Sequence, residues 1–212
     1  MLASEDIPEN DPWWFRQPIS GNAVTSELDK PTQRAAFRQI RDSYVNGLTA
    51  QDRSLAFSKI PSPLAKFLTP GKIVAGYVAK GSEVDPAAIL AQAHALGCDL
   101  ALPHVTSKSA PMRFLRWSPD DDLIPGAFGL LQPAETAPEC KPDIVLVPML
   151  AFDDKLIRLG QGAGHYDRAL SVLDHSIAIG LAWSVQFTSV LASDIWDVPL
   201  DAVLTEKSWI TL

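Results

Sequence analysis

Residues 143–170, DIVLVPMLAFDDKLIRLGQGAGHYDRAL, decide how this chain reads. The stretch joins an apolar strand at residues 144–147 to a basic residue, Arg158, then to the alternate glycines Gly160, Gly162 and Gly164 and to an acid, Asp167. Alternate glycines let backbone N–H groups approach a ligand without obstruction from Cβ, and a helix that starts just after them adds the positive end of its dipole. Such a segment suits a polyphosphate. The acid follows where a divalent cation would bridge to that phosphate.

Working outward, residues 30–48 carry Ala36, Phe37, Ile40, Tyr44 and Leu48 at helical spacing, with Arg34, Arg38 and Arg41 among them. They predict an amphipathic helix that tolerates Pro31 in its first turn. A second helical stretch around residues 50–60 stops before Pro61 and Pro63. Residues 73–78 read as a buried strand, and residues 86–96 as a helix opened by Pro86 and closed by Gly97. Residues 100–105 and 112–117 supply further strands, residues 166–173 a helix, residues 177–182 a strand and residues 202–204 a last short one. This alternation predicts an α/β fold, three αβα layers around a largely parallel, mixed sheet. Ligands gather at the carboxyl ends of such strands. The loop with Gly81, Ser82 and Glu83 and the glycine loop therefore open toward one rim.

With 212 residues the chain is long enough for one sizeable core. The expected division is an extended arm over residues 1–28, with Trp13, Trp14 and Phe15 docked on the body, and a single α/β domain over residues 29–212. A hydrophobic content of 47% with 20% charged residues describes an ordinary soluble globular protein. The net charge of −7 argues against a general nucleic-acid or anionic-membrane surface, so an anion site must be concave and specific. Cys98 and Cys140 lack a C-x-x-C spacing and are too few for a disulfide framework, which points to a reduced, cytoplasmic protein. The first residues are acidic and broken by Pro8, Pro12 and Pro18, unlike an export signal, and no apolar run reaches membrane-spanning length.

Read locally, the chemical candidates keep two explanations each. The G-x-G-x-G pattern serves a turn as well as a phosphate. It is neither a Rossmann fingerprint, since residue 147 is too far from Gly160, nor a Walker A loop, since Gly-Lys-Ser/Thr is missing. Arg158 suits either a phosphate clamp or an ion pair with Asp153 or Asp154. Asp167 suits Mg²⁺ or a helix cap. Lys30 and Arg34, one helical turn apart, suit a triphosphate or a solvated face. Glu83 suits the amide and amino edges of a heterocycle, or the start of the next helix. One of Asp194, Asp197 and Asp201 could complete a metal site, with turn chemistry explaining the others. Arg168 reads as solvated and His94 as partly buried structure; His104 and His175 are isolated, and no spacing suggests zinc. Nothing in the sequence supports a covalent nucleophile.

Four motifs occur in order: Lys30-x-x-x-Arg34, Glu83-Val84-Asp85 after a strand, RLGQGAGHYDR at residues 158–168 and DVPLDAVLTE at residues 197–206. Together they resemble the 5-formyltetrahydrofolate cyclo-ligase family, also called methenyltetrahydrofolate synthetases, from about Lys30 to the C-terminus. The resemblance implies a Rossmann-like layout and the ATP- and Mg²⁺-dependent conversion of 5-formyltetrahydrofolate to 5,10-methenyltetrahydrofolate, with release of ADP and phosphate. It implies that Lys30, Arg34, Arg158, Gly160, Gly162, Gly164 and Tyr166 contact ATP, Arg158 also stabilising the transferring phosphoryl charge. Asp167 and Asp197 would serve Mg²⁺, and Val78, Glu83 and His165 the folate. Phe128 reads as a core phenylalanine before it reads as an aromatic wall for that folate. The implied partners are small molecules, folate and ATP, with no nucleic acid or membrane, on a monomer or weak homo-oligomer.

One departure stands out. Family members commonly carry Tyr-Tyr-Asp where this chain has His165-Tyr166-Asp167, and the first tyrosine faces the reacting folate. Imidazole is smaller than phenol and can carry charge near neutral pH. Two alternatives follow: a divergent paralogue acting on another formyl or pterin-like substrate, and a non-catalytic nucleotide- or folate-binding protein. A sugar-phosphate isomerase or CoA transferase shares only the fold class.

Overall fold

The apolar run at residues 144–147 becomes the middle of the molecule because it is covered on both faces. Ile144 and Leu146 join one buried cluster while Val145 and Val147 join the other, the period-two alternation of a strand between two layers. Fully burying each such side chain contributes roughly 1.5–3 kcal/mol. A computed structural model describes residues 29–212; the expected arm over residues 1–28, with the docking of Trp13, Trp14 and Phe15, lies outside the described residues.

Helices α1 (Lys30–Gly47), α2 (Ala50–Leu55) and α3 (Ser62–Ala65) come first. Strand β1 (Ile73–Ala75), helix α4 (Ala87–Ala95) and strands β2 (Asp99–His104) and β3 (Arg113–Trp117) follow. A two-residue hairpin, β4 (Ile124–Pro125) and β5 (Leu131–Gln132), brackets a 3₁₀ turn, Ala127–Gly129, before β6 (Glu139–Cys140) and β7 (Ile144–Pro148). A second hairpin, β8 (Ala151–Phe152) with β9 (Arg158–Leu159), leads to α5 (His165–Leu170). Strand β10 (Ile177–Leu181), a 3₁₀ turn at Ser184–Gln186, β11 (Ala202–Leu204) and β12 (Trp209–Ile210) complete the chain.

The main sheet has the order β12-β11-β10-β7-β1-β2-β3-β6. Strands β11, β10, β7, β1 and β2 are mutually parallel, and β12 and β3 pair antiparallel at the flanks. One face packs against Val45 of α1, Leu64 of α3 and Ile89, Leu90 and Ala93 of α4; the other packs against Ala169 and Leu170 of α5. The expected mixed, largely parallel α/β fold is the one observed.

Several boundaries differ from the sequence reading, each for a local reason. The second helix ends at Leu55, and Phe57 takes a left-handed φ of 59° well before the prolines. Strand β1 pairs only to Ala75, although Gly76 N–H still donates to Ala101 O at 3.0 Å. The buried row of α1 is Gln33, Phe37, Arg41 and Val45, whereas the apolar Ala36, Ile40, Tyr44 and Leu48 are half-buried. That row is mixed because its surroundings are: Phe37 packs with Leu150, Leu159 and Leu191 and Val45 with the main core, while Arg41 meets Ser82 Oγ and Met149 O and Gln33 Oε1 accepts from Ala192 N–H. The β8–β9 hairpin was not foreseen, because strands of two residues leave no periodicity to read.

Candidate functional site

Three chain segments converge outside the carboxyl ends of β7 and β10: the start of α1, the glycine loop between β9 and α5, and the connection from β10 to β11. They line one cavity of about 570 Å³, whose walls include Lys30, Arg34, Arg158, Gly160, Gly162, Gly164, Asp167, Asp194 and Asp197. The volume falls within the range of small-molecule sites. Every expected nucleotide or metal residue is present in this lining except Tyr166, which packs from α5 against the core.

Arg158 owes its position to the β8–β9 hairpin, which turns its side chain inward until the residue is only 7% exposed. Its Nη1 donates to Val198 O and its Nη2 to Asp167 Oδ1. Asp167, in the first turn of α5, also accepts from Val198 N–H at 3.3 Å, so it bridges two loops rather than capping its own helix. The alternative pairing of Arg158 with Asp153 does not occur. Asp153 instead accepts from the N–H groups of Lys155, Ile157 and Leu191, an acid spent on turn geometry. Burial lowers the Arg158 pKa from its usual value, with the charges of Asp167 and Asp197 acting in opposition.

Lys30 stands at the opening of α1, whose N-cap Asp29 accepts from Thr32 N–H at 2.9 Å. Its Nζ lies 2.6 Å from Asp194 Oδ2 and 2.7 Å from Asp197 Oδ2. Burial works against the ammonium, but hydrogen bonds and attraction from both aspartates prevail and raise its pKa above the usual lysine value. Asp201 takes no part. It accepts from Ala178 N–H at 2.7 Å, near the amino end of β10 and away from the cavity.

Arg34 donates Nε–H to Gly160 O at 3.0 Å and lies across the glycine loop. Gly162 has φ 103°, and a Cβ there would sit 3.3 Å from the Arg34 guanidinium carbon; Gly164, at φ 66°, turns the chain into α5. Both positions favour glycine on backbone grounds, Gly162 the more strongly, while the neighbouring arginine side chains could shift to admit a Cβ. Gly160 has neither constraint.

The expected folate side lies along the same rim. Val78 is half-buried against the core, in the loop after β1. Glu83 Oε2 accepts from Lys80 N–H at 2.9 Å, and its Oε1 accepts from Gln161 Nε2 at 3.2 Å with Arg41 Nη1 at 3.8 Å. Gln161 Oε1 in turn accepts from Arg38 Nη2 at 2.9 Å, which ties the Glu83 loop to the glycine loop through α1. Burial, reinforced by the Glu83 charge, pushes the Tyr166 hydroxyl well above its usual pKa, while Arg158 acts in the opposite sense.

Phe128 is not the core phenylalanine expected. It is 53% exposed at a left-handed φ of 61°, and its ring stands 6.1 Å from that of His165. Lys80 Nζ donates to Phe128 O at 3.0 Å and fastens this 3₁₀ turn to the β1 loop. Nor is Arg168 merely solvated: it donates to Ala163 O and Lys108 O, and its Nη2 lies 3.1 Å from His165 Nδ1. Because a guanidinium only donates, Nδ1 must accept and the imidazole proton sits on Nε2. That Nε2 is buried without a hydrogen-bond partner among the described residues, and burial together with the Arg168 charge lowers the His165 pKa. A buried donor without a partner is the kind of group a ligand acceptor satisfies. His94, expected to be partly buried, is exposed at the end of α4.

Arg41 and Arg38 were not singled out as site residues. The signal was available: Lys30, Arg34, Arg38 and Arg41 follow one face of α1 at offsets of four, four and three residues. Arg168 meets His165 three residues away as well as Lys108 sixty residues away, whereas the place of Phe128 beside His165 depends on a partner far along the chain.

A cavity edged by cations, three carboxylates and a glycine loop, at the carboxyl edge of a parallel sheet, marks an α/β protein whose rim suits a multiply charged anion. The profile of the 5-formyltetrahydrofolate cyclo-ligase family matches residues 27–206. A 5-formyltetrahydrofolate cyclo-ligase of Escherichia coli is 31% identical over 144 residues, 64% of this chain and 79% of the relative. One from Mycolicibacterium smegmatis is 34% identical over 145 residues, 64% of this chain and 72% of the relative. The solved structure of the Aquifex aeolicus 5,10-methenyltetrahydrofolate synthetase superposes with a TM-score of 0.70 at 29% identity, covering 87% of this chain and 93% of that one. The chain belongs to the 5-formyltetrahydrofolate cyclo-ligase family. Among the described residues no helix is long and apolar enough to cross a membrane.

Proposed function

We infer that this protein is a 5-formyltetrahydrofolate cyclo-ligase that uses ATP and Mg²⁺ to form 5,10-methenyltetrahydrofolate, ADP and phosphate. The observation that carries the reading is the convergence of Lys30, Arg34, Arg158, the three glycines and the carboxylates of Asp167, Asp194 and Asp197 on one cavity. Family membership supports the substrate, and the charged lining of the cavity supports a triphosphate there.

The reaction is a dehydration, and oxide is a poor leaving group. In the proposed sequence the formyl oxygen attacks the γ-phosphorus, the bond to ADP breaks, and an iminophosphate forms. The anilino nitrogen then attacks the former formyl carbon and gives up its proton, and the C–O bond breaks to release phosphate. The protein contributes positioning and charge neutralisation rather than covalent chemistry. Arg158 is held by Val198 and Asp167 before any ligand arrives, so stabilising the transferring charge requires no reorganisation at that group. Lys30 and Arg34 face the same space from α1.

The carboxylates fit Mg²⁺. Asp167 uses Oδ1 and Asp197 uses Oδ2 in their hydrogen bonds, which leaves one oxygen of each without a hydrogen bond among the described residues. No group of three or more His, Cys, Asp or Glu ligands occurs among the described residues, and Mg²⁺ on a nucleotide typically needs only one or two carboxylates beside phosphate and water. Bound there, the cation would neutralise phosphate charge.

On the folate side, Glu83 is preset by Lys80, Gln161 and Arg41 to accept hydrogen bonds from a pterin edge. His165 stands beside the Phe128 ring where the family commonly has a tyrosine, with its Nε2 buried. The test is the absorbance of methenyltetrahydrofolate formed from 5-formyltetrahydrofolate. Product is expected only when ATP and Mg²⁺ are both present, and no product from the complete mixture would refute the reading.

A further inference from the structure

The turn that carries Asp194 and Asp197 has a second peculiarity. Asp197 N–H donates to Asp194 O at 3.1 Å, Asp194 N–H donates to Asp197 Oδ2 at 2.8 Å, and Lys30 Nζ binds both carboxylates. This closed set of bonds leaves Ile195 and Trp196 as the two central residues, thrown outward. Ile195 is 99% exposed, more than any other large hydrophobic among the described residues, and Trp196 is 66% exposed. Turn centres ordinarily take Gly, Pro, Asn, Asp or Ser, and an isoleucine–tryptophan pair held in water by a fixed turn has no folding explanation.

Both residues nevertheless line the same cavity as the phosphate-facing cations. Lys30, Arg158 and the glycine loop form its charged portion, and Ile195 and Trp196 add an apolar edge. We propose that this edge is a stacking platform for the purine base of the nucleotide, with Trp196 as the stacking ring and Ile195 as its apolar flank. The proposal rests on the reading of the cavity as a triphosphate site and specifies which part of the nucleotide lies where. An indole offers a large, rigid π-face, and base–aromatic stacking tolerates different bases because every base has such a face. The platform therefore adds affinity for the nucleoside portion and discriminates weakly between adenine and guanine. Since Lys30 pins the turn, the base edge and the phosphate wall are mechanically one piece.

Titration calorimetry on the full chain, without folate, tests this with two probes: Mg-ATP and inorganic tripolyphosphate. Wild-type protein should bind ATP more tightly than tripolyphosphate. Trp196→Ala should weaken ATP about tenfold and leave tripolyphosphate unchanged, while Trp196→Phe keeps most of the ATP affinity. Unchanged ATP affinity in Trp196→Ala would overturn the platform and leave the triphosphate site standing. An equal loss for both probes would also overturn it, because the turn rather than the ring would then matter. Wild-type protein that binds neither probe would overturn the nucleotide reading and this proposal together.

Discussion

The cavity has two walls with the same chemistry and different burial. On one, the Arg158 side chain is 3% exposed and is held by Asp167 and a backbone carbonyl. On the other, the Lys30 side chain is 20% exposed and is held by two carboxylates. The contrast separates stability from ligand binding. A buried charge that loses its partner leaves an uncompensated ion in low dielectric, whereas a partly hydrated pair loses less because water replaces the partner. The Arg158 wall is thus part of the fold as well as the site, and the Lys30 wall belongs mainly to the site.

Substitutions can break that contrast, and the largest effect is expected at Arg158. Arg158→Met strands the Asp167 carboxylate and Val198 carbonyl; urea denaturation should show a loss of about 3–5 kcal/mol, with turnover abolished. Stability within 1 kcal/mol of wild type, by the scale of exposed pairs, would contradict the assignment of this wall to the fold. Asp167→Asn should come next. The amide can still accept from Val198 N–H but loses the anionic ligand, so the Mg²⁺ needed for half-maximal turnover should rise about tenfold or more. Wild-type Mg²⁺ dependence in the purified variant would end the metal assignment.

The second wall should respond differently. Lys30→Met is expected to cost less than Arg158→Met, about 1–3 kcal/mol of unfolding free energy, because it leaves Asp197 at 10% exposure without its cation while Asp194 stays hydrated at 41%, and it should raise the KM for ATP roughly tenfold. If denaturation instead matched that of Arg158→Met, the two walls would be equivalent and the contrast would be lost. Glu83→Gln should raise the folate KM several-fold, on the order of one lost charged hydrogen bond, with the ATP KM little changed. Equal losses for both ligands would point to a disturbed Gln161 bridge rather than to folate contact. The smallest change is expected for His165→Tyr, which restores the family residue next to Phe128: turnover should be preserved or raised. Complete loss of product in the standard assay would favour a different substrate.

Much of this was legible before any coordinates. The glycine loop, Arg158 and Asp167 stand within ten residues, and backbone rules constrain Gly162 and Gly164 through their positive φ. The strand–helix alternation followed from apolar runs and prolines. Other assignments were ambiguous for a physical reason. Lys30 and Arg34 look alike in sequence, yet Lys30 meets carboxylates 164 and 167 residues away and Arg34 a carbonyl 126 residues away. Phe128 was read as core because phenylalanine usually is; a hairpin with strands of two residues placed it on the rim instead. Two apolar residues in a turn carry no periodic signal, so Ile195 and Trp196 are silent in the sequence.

By itself, the sequence determined the layered α/β architecture, the rim at which a ligand would sit and the family to which the motifs point, because hydrophobic period, glycine permissiveness and motif order are properties of short stretches. Only tertiary structure decided which charges face one another: that Arg158 pairs with Asp167 and not Asp153, that Lys30 pins the Asp194 turn, and that Arg168 fixes the proton on His165 Nε2. Those choices depend on burial and on partners brought together by the sheet, and no spacing along the chain encodes either.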